Sequence, residues 1–187
     1  MTISKNDVIY CDANFVIAYG AKATKQPELQ RQAQALFARL LISQCKICVS
    51  ALTFDEAWNG IRKELGPKTV SNSVRYKLSR FIEKFGLRLA NYGASEFSYR
   101  EIFNDLHSFT ANLLNSNKIE VIQFNNLVSG IKNALDNLKS FSLKPRDSFH
   151  LAIMKDRGAT HFISNDKDFQ KNQNQIKSQI GVEILSF

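Results

Sequence analysis

Five acidic residues stand out in this 187-residue chain: Asp12, Glu56, Asp147, Asp166 and Asp168. Each falls just after a strand-like run or in the first turns of a helix-like one. In an open parallel sheet such positions gather at the carboxyl ends of the strands. Two carboxylates about 4 Å apart repel by roughly 4 kcal/mol at an effective dielectric of about 20, so their convergence calls for a cation. Mg²⁺ or Mn²⁺ takes oxygen ligands, keeps several waters and completes its shell with substrate phosphate oxygens. Such a site activates a water and stabilises the leaving oxygen of a phosphodiester. The scheme needs no histidine, so His150, three residues after Asp147, is read without a catalytic role. Taken singly, each acid also has a plainer reading as a turn, cap or solvated helix residue. Their joint placement argues against coincidence.

The elements that would carry these acids follow from the apolar pattern. Val8-Ile9-Tyr10-Cys11 is a buried-type strand ending at Asp12, and Phe15 to Tyr19 starts a helix with Asn14 near its cap. Apolar residues recur at helical spacing from Pro27 to Ser43, with Pro27 suited to a first turn. Ile47 to Ser50 reads as a strand, and Ala51 to Leu65 as a helix stopped by Gly66-Pro67. Helices are predicted near Val70 to Phe85 and Ser95 to Asn117, a strand at Ile119 to Phe124, and a helix at Leu127 to Leu138. Arg146 to Arg157 is helical, and His161 to Ser164 and Val182 to Leu185 are the last strands. Gln170 to Gln179, rich in Asn, Gln and Lys, reads as a solvated loop or frayed helix. Strands alternating with helices, without two-residue hairpin turns, predict an α/β fold with a mainly parallel sheet of four to five strands flanked by helices. One domain over residues 1–187 is expected, with 66–118 as a helical elaboration within it.

Composition limits the function classes. With 44% hydrophobic and 22% charged residues the chain is of ordinary globular type. It carries no apolar run near the roughly 18 residues that span a bilayer. The opening residues lack the pattern of a secretory signal, so a cytoplasmic location is expected. The formal charge is +8, from 25 Lys plus Arg against 17 Asp plus Glu, which favours a polyanionic partner such as nucleic acid. Arg62, Lys63, Lys68, Arg75, Lys77 and Arg80 form a basic run that could steer RNA, or simply face solvent. Cys45 and Cys48 form a CxxC, but no second pair of zinc ligands exists at suitable spacing, and packing in or beside the core is expected. Trp58 and Tyr76 could stack on bases; for Trp58, core packing is the expectation.

The quoted motifs resemble a known family. Ile9-Tyr10-Cys11-Asp12-Ala13-Asn14-Phe15 resembles the opening of PIN domains, a hydrophobic strand, an Asp and an Asn two residues on. Val49 to Glu56 resembles the second motif, which supplies a Glu. Pro145-Arg146-Asp147-Ser148-Phe149-His150-Leu151-Ala152 is similar to the third, and Phe162-Ile163-Ser164-Asn165-Asp166-Lys167-Asp168-Phe169 to the fourth. The resemblance runs from residue 8 to 169 and implies a PIN-like three-layer fold. It implies a Mg²⁺- or Mn²⁺-dependent endoribonuclease, most often a toxin of the VapC type held by an antitoxin protein, with homodimers common. By the same resemblance Asp12, Glu56, Asp147 and Asp166 hold the metal, Asp168 is an optional fifth acid, and Asn14 and Ser164 are supporting hydrogen-bonders. The chain is longer than a compact VapC-type toxin, with the excess between Glu56 and Asp147.

Two rival readings fit poorly. A haloacid-dehalogenase-type phosphatase needs a second Asp two residues after the first, where this chain has Asn14. A response-regulator receiver does not explain the acid at Asp147 or the long middle region. GxxxxGK[ST] and GxGxxG are absent. The alternative from another class is a PIN-like module that binds RNA or protein without cleaving.

Overall fold

A computed structural model describes residues 3–20, 26–65 and 99–187. The predicted helix at 70–85 and the residues Lys68, Arg75, Tyr76, Lys77 and Arg80 lie outside that set. In chain order the described elements are β1 (Val8–Cys11), α1 (Ala13–Gly20), α2 (Pro27–Ser43), β2 (Lys46–Ser50) and α3 (Ala51–Leu65). Next come α4 (Phe103–Leu114), β3 (Ile119–Ile122), α5 (Leu127–Phe141) and α6 (Pro145–Asp156). The chain closes with β4 (His161–Ile163), α7 (Lys167–Lys171), α8 (Gln173–Ile180) and β5 (Glu183–Leu185).

The five strands form one sheet in the order β3-β2-β1-β4-β5, every neighbouring pair parallel. Because side chains alternate along a strand, each strand feeds two cores at once. Ile9, Cys11, Ile47, Val49 and Ile163 join a cluster with Phe15, Val16, Ala33, Phe37, Leu40, Phe54 and Ile61 from α1, α2 and α3. Tyr10, Cys48, Ile122 and Phe162 point the other way, to Phe141, Leu151, Met154, Phe169 and Ile176 of α5 to α8. Burial on both faces explains why the central strands read as unbroken apolar runs rather than alternating ones. The result is the expected three-layer α/β arrangement. Each fully buried large side chain in it contributes about 1.5–3 kcal/mol.

The departures from the sequence reading are local. β3 ends at Ile122, short of Phe124. α5 runs on to Phe141 and stops at Ser142, which adopts a left-handed φ of 51°. Of the two readings for Gln170 to Gln179, loop or frayed helix, Gln173 to Ile180 takes the helical one, because Ile176 is wholly buried and pins its inner face while the amides face outward. Trp58 is not core: it is 38% exposed, and its indole Nε1 donates to Thr110 Oγ1 at 2.9 Å. Cys11 and Cys48 are buried and Cys45 half-buried, all three free thiols, as packing residues would be. Among the described residues no helix is long and apolar enough to cross a membrane.

β1 is central, and the chain leaves it in both directions: β2 and β3 build out on one side, β4 and β5 on the other. The carboxyl ends of β1, β2 and β4 therefore border the crevice where parallel sheets place their function.

Candidate active site

Asp12 is the first residue past β1 and only 5% exposed. Its Oδ1 accepts the Ala13 N–H at 2.7 Å, and its Oδ2 accepts the Ser164 hydroxyl at 2.6 Å and the Asn14 amide at 3.3 Å. Burial pushes its carboxyl above the usual range, against the lowering effect of the Ser164 hydrogen bond. Ser164 is wholly buried at the end of β4 and also accepts the Asp166 N–H at 3.0 Å. One hydroxyl thus ties the loop after β4 to the carboxylate after β1.

α3 starts directly on β2, with the Thr53 hydroxyl accepting the Ser50 N–H at 3.2 Å. Thr53, Ala57 and Ile61 recur every fourth residue and are buried against the sheet. That anchoring turns the adjacent stripe, Glu56, Asn59, Gly60 and Lys63, toward a single cavity. At Gly60 an added Cβ would lie 2.6 Å from Ile17 Cδ1, the end of a side chain on α1 that would have to shift.

Asp147 sits in the first turn of α6, behind Pro145, which suits a helix start. It is buried, and its Oδ2 has no hydrogen-bond partner. Burial, reinforced by the neighbouring Asp166, raises its carboxyl to about 6. Asp166 caps α7, its Oδ1 accepting the Asp168 N–H at 2.8 Å.

Asp12, Glu56, Asp147 and Asp166, with Asn14, Lys63 and Arg146, line one cavity of about 250 Å³. Asp168 is not among its lining residues. The Asp168 carboxylate accepts from Lys144 Nζ at 2.7 Å, and that ammonium holds it below the usual carboxylate range. A residue two places after Asp166 on a short helix faces another way, and sequence spacing alone did not separate the two.

Two features, one lining the cavity and one behind it, were not legible beforehand. Arg146, paired with Asp55 at 2.9 Å, brings a guanidinium to the rim beside Asp147. His150, read without a role, is 1% exposed and puts Nε2 within 3.2 Å of Glu56 Oε2. One ligand atom each of Asp12, Glu56 and His150 lie within 4.8 Å of one another. Position i+3 from Asp147 on a helix buried nearly all round was the available signal for His150. On the far side of Asp55, Trp58, Tyr99, Phe103 and Leu106 line a separate, more apolar cleft.

The donor set fits a hard divalent cation. It is rich in carboxylate oxygens, one of them buried and without a partner, and the crowding of acids raises the cost of leaving them ionised without a countercharge.

A family model described as PIN domain matches residues 9–174. Among solved structures, the fold is similar to that of the Mycobacterium tuberculosis toxin VapC20, described as cleaving the sarcin-ricin loop. The two share 15% identity with a TM-score of 0.52, covering 87% of this chain and 93% of that one. A search of curated protein sequences returned no match.

Proposed function

We propose that this chain, which belongs to the PIN domain family, is a divalent-metal-dependent endoribonuclease. The observation that carries the reading is that four carboxylates, from segments far apart in sequence, line the same cavity as Lys63 and Arg146. Asp12, Glu56, Asp147 and Asp166 would hold Mg²⁺ or Mn²⁺. A divalent ion there supplies a Lewis acid that polarises a phosphodiester and lowers the pKa of a water. Ser164 and Asn14 keep Asp12 aimed at the cavity, and the Ala13 N–H occupies its other oxygen. Lys63 and Arg146 offer cations to the phosphates of the incoming strand, Arg146 with a planar fork suited to two oxygens. With the acids holding a cation and Lys63 and Arg146 holding the backbone, the chain's own residues would orient the scissile phosphate.

The fold shared with VapC20 supports a finer reading, the toxin of a two-protein pair whose partner is an antitoxin. The span of the family match supports reading the chain as one domain with 66–118 as an elaboration within it, of which 66–98 lies outside the described residues.

Incubation of structured RNA with the purified protein tests the activity. Cleavage should require Mn²⁺ or Mg²⁺ and fall at least about 100-fold in Asp12→Asn and Asp147→Asn, since even residues that only support metal ligands cost 10–100-fold. Equal degradation by wild type and both variants would mark a contaminating nuclease and remove the case for an enzyme. For a toxin, expression in a bacterial host should arrest growth, and Asp147→Asn should relieve the arrest.

A further inference from the structure

Behind Glu56 a chain of polar groups runs into the core, with no place in the scheme above. His150 Nε2 lies 3.2 Å from Glu56 Oε2, and its Nδ1 lies 2.7 Å from the Tyr10 hydroxyl. Tyr10 is wholly buried and also meets Ser50 Oγ at 2.5 Å, with Thr53 Oγ1 at 3.5 Å. Neither Tyr10 nor His150 lines the acid cavity.

The protons in this chain are constrained. An ionised carboxylate only accepts, so the contact with Glu56 requires a proton on Nε2. In the neutral ring Nδ1 is then bare and accepts the Tyr10 hydroxyl proton, whereas in the charged ring Nδ1 would donate to the Tyr10 oxygen. Ser50 in turn can donate to the Tyr10 oxygen. Every donor finds an acceptor, which buried polar groups require. The opposite tautomer would set the Nε2 lone pair against Glu56 Oε2, leaving two acceptors face to face. It would instead suit a ring ligating a metal directly, with Nδ1–H given to Tyr10.

We propose that Tyr10 and His150 are positioning residues, the Tyr10 hydroxyl keeping the His150 proton on Nε2 so that His150 holds Glu56 turned into the acid cavity. The inference rests on the metal-site reading of that cavity and adds to it a support that reaches from β1 through α6 to α3. Tyr10 on β1 is two residues before Asp12, so the strand that delivers one acid also orients a second. Tyr10, Ser50, Thr53 and His150 are all buried, so water does not compete for the groups that stand behind Glu56.

The first test needs neither metal nor RNA. Long-range ¹H–¹⁵N correlation of the metal-free protein at pH 8 should show His150 protonated on Nε2 with Nδ1 bare. A ring protonated on Nδ1, alone or with Nε2, would overturn the proposal. The second is a calorimetric double-mutant cycle in Mn²⁺ affinity with Tyr10→Phe and Glu56→Gln. Tyr10→Phe should weaken Mn²⁺ binding by about 10-fold or more in the wild-type background and have little further effect on Glu56→Gln. Equal losses in both backgrounds, or none in either, would overturn it, since a packing role would act independently of Glu56. Should Tyr10→Phe fail to fold, His150→Gln and His150→Leu replace it. The amide can still donate to Glu56 and should retain most of the affinity that leucine loses, whereas equal loss in both counts against positioning. Absent RNA cleavage with the expected tautomer would sink the nuclease reading alone. Intact cleavage with the wrong tautomer would sink this one alone.

Discussion

At the scale of single residues, the acid cavity combines groups that would be easier to fold without their charges. Asp147 shows the conflict most clearly: burial and Asp166 hold its carboxyl near 6, against a free value of 3.8. The folded protein binds that proton more tightly than the unfolded chain. The stability this confers is fully present below pH 3.8 and is lost as pH rises through about 6. In chelator at pH 7.5, Asp147→Asn should therefore melt a few degrees above wild type, at about 2–4 °C per kcal/mol for a chain of this size. The gain should shrink as pH falls toward 4. A thermal melt series across that range checks it, and a variant less stable at pH 7.5 would contradict the assigned strain. The same substitution should abolish cleavage, so stability and function pull in opposite directions at one atom. Metal affinity, for its part, should drop below about pH 6 as the carboxyl takes up its proton.

At the scale of elements, the short helix α7 depends on a residue that also faces the cavity. Asp166 caps α7 through Oδ1 and lines the site. Capping and charge can be separated, because Asn caps about as well as Asp whereas Ala costs about 1 kcal/mol. Asp166→Asn should leave the metal-free melting temperature near wild type, and Asp166→Ala should lower it by a few degrees. Both should weaken Mn²⁺ binding. If Asn and Ala melt alike, the cap is not what holds this segment. Element ends also explain where the sequence reading slipped. α8 was read as a solvated loop or frayed helix because amides crowd it; the buried Ile176 and the partly buried Ile180 seat it on the core as a two-turn helix. Trp58 looked like core from its apolar neighbours on α3. Its position, one residue past the buried Ala57, turns it instead to the exposed side beside Thr110.

At the scale of the whole molecule, a chain with formal charge +8 gathers four carboxylates of the described residues along one cavity. An RNA strand would be drawn by the general positive field and would meet local negative charge only where a cation can intervene. Binding should therefore be steeply salt-dependent. For about three phosphates neutralised on a single strand, raising salt from about 50 to 200 mM should weaken binding roughly 20-fold. Asp147→Asn without divalent metal allows the measurement by fluorescence anisotropy without cleavage. A dissociation constant unmoved by salt would mean that the charge excess plays no part in recognition.

The class of fold was legible in the sequence because both of its signals are local. Apolar runs of strand length alternating with helical periodicity fix the α/β order, and motifs on strand ends mark where a parallel sheet converges. Asp12, Glu56, Asp147 and Asp166 could be singled out for the same reason, since each is placed by the element immediately before or around it. Contacts across the sheet were a different matter. Which face of α6 turns to α3, and so brings His150 to Glu56 and Tyr10, depends on packing between elements roughly 100 residues apart along the chain. The pairing of Asp168 with Lys144, 24 residues away, is of the same kind. Side-chain direction within one helical turn is set by what the neighbouring layer leaves room for, and that information exists only once the layers have met.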